Sequence, residues 1–359
     1  MKVRTSFSIA IFLALVSCSV FAQKDTPSPS SGRTMVTPAV TPTPGPLAPL
    51  QPVTSANAYW VQPLAVLEFS GFLNESLSRC SVSFSPDGTM LMGACGSVPV
   101  VVWEVASGSP LFTLDTGYGR VTACAFDLKG ERIACGGEAQ LITLWDGATG
   151  GKLQEFAGID AAVRDLSFTA DSGGLITCGS TDGLHQWNTT DGSEVWHNPL
   201  TAGCLGMDIS PDGMTIAYGS DKGAVGMVDT TSGEILQEWP VAEMAVEDVA
   251  FSSSGRLLAV GSADTLVRIL QAKDGFNTST WRGHYHAVKN LLFSADDTLL
   301  VTSGLDNTIR IWGVEKGVML KVLHGHDAVF MSNALSPDGS IIATIGVDGT
   351  VRLWGVPRE

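Results

Sequence analysis

Phe84-Ser85-Pro86-Asp87-Gly88 ends an apolar run and opens a turn, and the same punctuation returns along the chain. It reappears as FDLKG from Phe126, FTADS from Phe168, ISPDG from Ile209, FSSSG from Phe251, FSADD from Phe293 and LSPDG from Leu335. The steps are 42, 42, 41, 42, 42 and 42 residues. Nineteen residues after each of these anchors stands a second marker: Trp103, Trp145, Trp187, Val228, Leu270, Trp312 and Trp354. A third falls twelve residues before several anchors, as Leu114, Phe156, Trp239, Trp281 and Leu323. Each unit reads as four short strands. The anchor ends the first; in the turn that follows, Pro presets φ, Asp bonds the local backbone and Gly accepts a positive φ. A second strand, a tight Asp-containing turn such as Val347-Asp348-Gly349, a third strand ending at the Trp marker and a fourth complete the unit. Four antiparallel strands repeated every ~40 to 45 residues are the pattern of a propeller blade.

Trp145-Asp146 is a literal WD dipeptide, and Gly283-His284 and Gly325-His326 are GH pairs. With these markers in register from about Leu64 to Val356, the chain resembles the WD40 repeat family. The resemblance implies an all-β fold, a seven-bladed β-propeller of four-stranded antiparallel blades. The last repeat stops just after Trp354, which leaves blade seven without an outer strand. Leu64 to Phe69 resembles the outer strands at Lys152 to Phe156 and Glu234 to Trp239. The N-terminal segment is therefore expected to complete blade seven and remove an open sheet edge.

Forty-four per cent hydrophobic residues in 359 are enough for a large core, and 40 glycines fit many turns between buried strands. The balance of 21 basic against 36 acidic residues, net −15, excludes the basic footprint of a nucleic-acid binder. Residues 1–22 read as a signal peptide: Lys2 and Arg4, an apolar run from Ile9 to Val16, then small residues. Two cleavage patterns stay open, one after Val20-Phe21-Ala22 and one before Cys18 in Leu15-Val16-Ser17-Cys18, which resembles a bacterial lipoprotein box with Cys18 lipidated. Either places the protein outside the cytoplasm, secreted or lipid-anchored at the cell envelope or surface. Residues 23–58 hold eight of the 17 prolines and read as a Pro/Thr/Ser-rich linker, leaving 59–359 for the propeller.

His284, Ser303 and Asp306 have the composition of a catalytic triad. The resemblance implies a structural role instead: a buried hydrogen-bond network of the GH histidine, a strand hydroxyl, the turn Asp and Trp312. Blade seven repeats the spacing with His326, Asp348 and Trp354 but has Ile345 at the place given to Ser303. The pairs His284-x-His286 and His324-x-His326 are offset within their repeats, and two of the four histidines already belong to this network, so no metal is expected there. Nor are catalytic residues or a cofactor. In a hairpin, opposed residues have a constant sum of offsets from the anchor. That sum is 7 for Cys80 with Cys95 and again 7 for Cys124 with Cys135, which permits cross-strand disulfides; the alternative is that each is a small buried residue. Transferred by position from the resemblance, the docking face offers Tyr118, Arg120, Arg164, Glu247, His286, Lys289, Phe330 and Met331. The expectation is a non-catalytic, monomeric protein-interaction scaffold of unidentified partner, touching a membrane only through an N-terminal lipid. The other reading is a propeller that binds or hydrolyses carbohydrate or peptide at the cell surface.

Overall fold

The computed structural model describes residues 47, 49–68, 79–117, 119–157, 159–326 and 330–358. The signal-peptide reading with Cys18, most of the linker and Tyr118 lie outside the described residues, as does the side chain of Phe330. Among the described residues are seven antiparallel sheets, each one repeat long. In blade one the inner strand Cys80–Phe84 pairs Met90–Cys95, which pairs Val100–Glu104, which pairs Pro110–Leu114. The following five blades repeat this order, and blade seven is built from Phe330–Leu335, Ile341–Gly346 and Thr350–Pro357.

The turns form as their residues dictate. Ser85 Oγ donates to Asp87 Oδ1 at 2.6 Å, the Thr89 N–H donates to the same oxygen at 3.0 Å, and Gly88 takes a φ of +72°. These bonds hold the Asp87 carboxyl below its ordinary value. The same arrangement recurs at Asp212, Asp296 and Asp338.

The core lies between blades rather than inside them. Val100, Val102 and Leu114 of blade one, for instance, pack with Val121, Phe126 and Ile133 of blade two. Each sheet therefore buries both faces against its neighbours, which accounts for strands that are apolar throughout, such as Leu299–Gly304. Tyr218 of blade four is buried across Gly226, where any Cβ would collide with its ring, and its hydroxyl donates to Glu238 at 2.8 Å.

The ring closes as expected. Gln62–Glu68 pairs antiparallel with Thr350–Pro357 and supplies the outer strand of blade seven. A second segment adds to the closure: Leu50–Gln51 pairs with Pro357 and Val356, and the Val53 N–H donates to Gly339 O at 2.8 Å. Val53, Ala58 and Val61 are buried against Val301, Ile309 and Ile311 of blade six and Trp354 of blade seven. The composition-based boundary at residue 58 is thus too late, because residues 50–58 already pack on the propeller. The prolines before them suggested a free tether, but from residue 50 the chain is hydrogen-bonded, the Pro52 carbonyl accepting from Asn57 and the Val53 N–H donating to Gly339 O.

Candidate functional site

The channel is lined by two successive positions of every inner strand. Four residues before each anchor stand Cys80, Thr122, Arg164, Leu205, Glu247, Lys289 and Met331; three before it stand Ser81, Ala123, Asp165, Gly206, Asp248, Asn290 and Ser332. With Arg79 these residues enclose one pocket at the channel mouth. The repeat puts them there: equal offsets in seven equivalent strands become two rings around one axis.

The outer ring carries charge. Lys289 Nζ pairs with Glu247 Oε2 at 2.6 Å. Arg79, from blade one, reaches the same oxygen at 3.5 Å and donates to Leu205 O at 2.8 Å, spanning the opening to blades four and five. Glu247 is thus shared by two cations. Arg164 makes no hydrogen bond or ion pair among the described residues, and its buried Nε has no partner. Burial, followed by the Arg79 charge, pushes its pKa below the ordinary guanidinium value, although it stays charged. Burial likewise lowers Lys289, opposed by Glu247.

The inner ring latches blade to blade. Asp165 Oδ2 accepts the Met207 N–H at 2.9 Å, Asp248 Oδ2 accepts the Leu291 N–H at 2.9 Å, and Asn290 Oδ1 accepts the Asn333 N–H at 3.0 Å. Ser81 Oγ plays the same part for the Cys124 N–H at 3.3 Å. Blade four has Gly206 at this position and uses the nearby Asp208 instead, which accepts the Phe251 N–H at 2.7 Å. Buried carboxylates are costly. Burial raises Asp165 to about 6 and Asp208 to about 7 despite the N–H bonds, and raises Asp248 well above the ordinary carboxylate value.

Of the eight residues expected on the docking face, Arg164, Glu247, Lys289 and Met331 meet at the channel mouth. Arg120 stands apart in a 4.0 Å ion pair with Glu138, and His286 is exposed in the loop before its strand. Sequence reasoning missed Arg79 and the latching acids. The offset arithmetic applied to the cysteines would have found the two rings had it been run over all seven strands.

The His284 network is present with one corrected member. His284 Nδ1 bonds Asp306 at 3.0 Å, His284 Nε2 bonds Thr302 Oγ1 at 2.8 Å, and Trp312 Nε1 donates to Thr302 Oγ1 at 2.9 Å. The hydroxyl is Thr302, not Ser303, whose Oγ is buried without a partner. Adjacent residues of a strand face opposite sides, so an offset of one selects the wrong side chain. The same shift corrects blade seven, where Thr344 rather than Ile345 joins His326, Asp348 and Trp354 through bonds of 3.1 Å to His326 and 2.9 Å to Trp354. In blade three the equivalent hydroxyl is Thr177, which accepts from Trp187 Nε1 at 3.0 Å. Burial alone would raise Asp306. Bonds from His284, the Tyr285 N–H and Thr308, with the His284 charge, hold it well below the carboxylate range. Burial lowers His284, opposed by Asp306. His284 and Thr302 are both buried, so this relay offers no exposed nucleophile.

Blade two has no such network. Cys135 stands at the Thr302 position and bonds Cys124 directly opposite it, and Trp145 Nε1 is left without a partner. Cys80 and Cys95, also directly opposed, are joined in blade one. A third bridge, Cys178 to Cys204, links blades three and four across a Cα separation of 5.6 Å.

The WD domain, G-beta repeat family model matches the chain four times, over residues 108–146, 233–270, 275–313 and 317–355. The last two matches contain the His284 and His326 networks, and the first contains Trp145-Asp146. No curated protein matches the chain. The four matched repeats and the seven equivalent sheets together make this chain a WD40-repeat protein, folded as a seven-bladed β-propeller.

Proposed function

We propose that this protein is a non-catalytic interaction scaffold, exported and held near the cell envelope, that seats a protein partner over the channel mouth through an acidic group of that partner. WD40 propellers typically mediate protein–protein interaction. The observation that carries the reading here is Arg164. A half-buried guanidinium that Glu138 and Glu247 act on only from beyond ion-pair distance has lost hydration without gaining a hydrogen bond among the described residues, and a carboxylate from outside would supply one. Arg79 and Lys289 at the same mouth already share Glu247, which leaves Arg164 as the cation there without an ion-pair partner among the described residues. Tyr285, 79% exposed, and Met244, 53% exposed, stand in the loops that lead into two of the channel-lining strands and offer apolar contact around it. Export rests on the signal-like residues 1–22, and tethering on the Leu15-Val16-Ser17-Cys18 pattern and the Pro-rich segment after it.

Crosslinked co-purification of the full-length protein from its native cell envelope, beside an Arg164→Ala/Lys289→Ala variant, tests the reading. One stoichiometric protein captured by the first and lost from the second is expected. A partner retained by the variant would remove the channel mouth from the account. Absence of any partner together with turnover of a polysaccharide or peptide library would replace the scaffold by a hydrolytic propeller.

A further inference from the structure

Blade three carries a cluster that neither the channel nor the blade network uses. In its two outer strands, Gly183–Asn188 and Glu194–Asn198, His185 lies directly opposite His197. A register shift between Gln186 and Trp187 brings Glu194 to the same face. His185 takes the place that Arg310 and Arg352 hold in blades six and seven, where the guanidinium lies near the turn aspartate. A guanidinium cannot ligate a cation; an imidazole can.

We propose that His185, His197 and Glu194 form a binding site for a divalent first-row transition metal ion. One donor atom from each residue lies within 4.8 Å of the others, and Glu194 Oε1 stands 2.7 Å from His185 Nδ1. Asp182 orients both rings. Its backbone carbonyl accepts from His197 Nε2 at 2.7 Å, which leaves Nδ1 of that ring with the lone pair. Its carboxylate lies 3.3 Å from His185 Nε2, the arrangement that turns the other nitrogen of a metal-bound histidine toward the ion. His185 is 3% exposed, and its Nε2 and Asp182 Oδ1 are both buried without a hydrogen-bond partner. An ion bound at His185 Nδ1 takes the place of the hydrogen shared with Glu194 Oε1, which moves to Nε2 beside the Asp182 carboxylate. The two rings are stacked 4.1 Å apart and parallel within 5°, so they cannot both point their lone pairs at one ion as they stand. Closing the site requires the exposed His197 ring to tilt out of the stack. Two imidazoles and a carboxylate suit zinc or copper rather than calcium or magnesium, with a fourth position open on the surface side.

The test is calorimetric titration of Zn²⁺ into the untagged, metal-stripped full-length chain, beside His197→Ala, Glu194→Gln and, as a control histidine, His286→Ala. One ion per chain is expected. Affinity should fall at least tenfold in His197→Ala and in Glu194→Gln, stay unchanged in His286→Ala, and weaken as the pH drops from 7.5 to 5.5. The metal-free thermal midpoints of Glu194→Gln, which keeps an acceptor for His185, and of the exposed His286→Ala should match wild type, so a lost affinity in Glu194→Gln reads the ligand and not the fold. Should the wild-type chain take up no Zn²⁺, or should His197→Ala bind it as tightly as wild type, the assignment is wrong.

Discussion

Arg164 and Asp165 are neighbours in one inner strand and serve opposite ends. Arg164 belongs to the outer ring, lines the mouth and has no hydrogen-bond or ion-pair partner among the described residues; Asp165 belongs to the inner ring and holds the Met207 N–H of the next blade. The contrast extends around the propeller. Glu247 and Asp248 divide in the same way, as do Lys289 and Asn290. A propeller thereby separates recognition from assembly by a single residue step. On the reading proposed above the outer position faces the partner, while the inner one supplies an acceptor to the neighbouring blade at Ser81, Asp165, Asp248 and Asn290.

The largest expected effect concerns the buried acids. Their native pKa values are raised, so the stability they contribute is fully present below the unfolded carboxyl pKa, near 3.8, and is lost as pH rises through the native values of about 6 for Asp165 and about 7 for Asp208. Thermal midpoints should fall between pH 5 and pH 8. For Asp208 the loss over the whole range above pH 3.8 is on the order of 4 kcal/mol, about 2 to 3 kcal/mol of it between pH 5 and pH 8. Asp208→Asn keeps an acceptor for the Phe251 N–H, abolishes that titration and should flatten the profile. A profile equally steep in this variant would show that the inner ring does not titrate.

Next in size, Asp306→Ala should cost ~3 kcal/mol in urea unfolding, because His284, Thr308 and the Tyr285 N–H lose their shared acceptor while buried or half-buried. Opening the Cys124–Cys135 bridge with Ser at both positions should cost ~2 to 3 kcal/mol through its 11-residue loop. The tryptophans of the two blades then separate bonding from packing. Trp312→Phe leaves Thr302 without its donor, whereas Trp145→Phe removes an indole N–H that has no partner. Both variants lose the same ring volume, so Trp312→Phe should be the more costly by about 1 kcal/mol. Equal costs would mean that the hydroxyl network adds nothing to blade six.

Most of the architecture was legible because it is periodic. Anchors repeated seven times, with Trp at the second marker in five of the repeats, located all seven inner strands, and the missing last strand pointed to Gln62–Glu68. The errors came where a single position or a local composition had to decide. Ser303 was one residue from Thr302, an interval that the period cannot resolve but that the alternation of a strand makes absolute. Residues 50–58 read as linker because they continue a Pro-rich stretch, although they hold only Pro52 themselves, while Val53 and Ala58 are the side chains that pack. The channel was half legible: four of its residues were named from loop positions, but Arg79 lies outside both rings and reaches the pocket across the opening. The His185 cluster depends on a bulge between two paired strands that brings Glu194 beside the stacked His185 and His197, and no spacing in the chain announces a bulge.

The most direct test of the division between the two rings is one experiment on adjacent residues: partner retention and urea stability of the full-length protein with Arg164→Ala, beside Asp165→Ala. The account predicts that Arg164→Ala loses the partner and unfolds within about 0.5 kcal/mol of wild type. Asp165→Ala should lose ~1 to 3 kcal/mol by orphaning the Met207 N–H. An Arg164→Ala protein that keeps its partner, or that is destabilised as much as Asp165→Ala, would contradict the assignment of the outer ring to recognition.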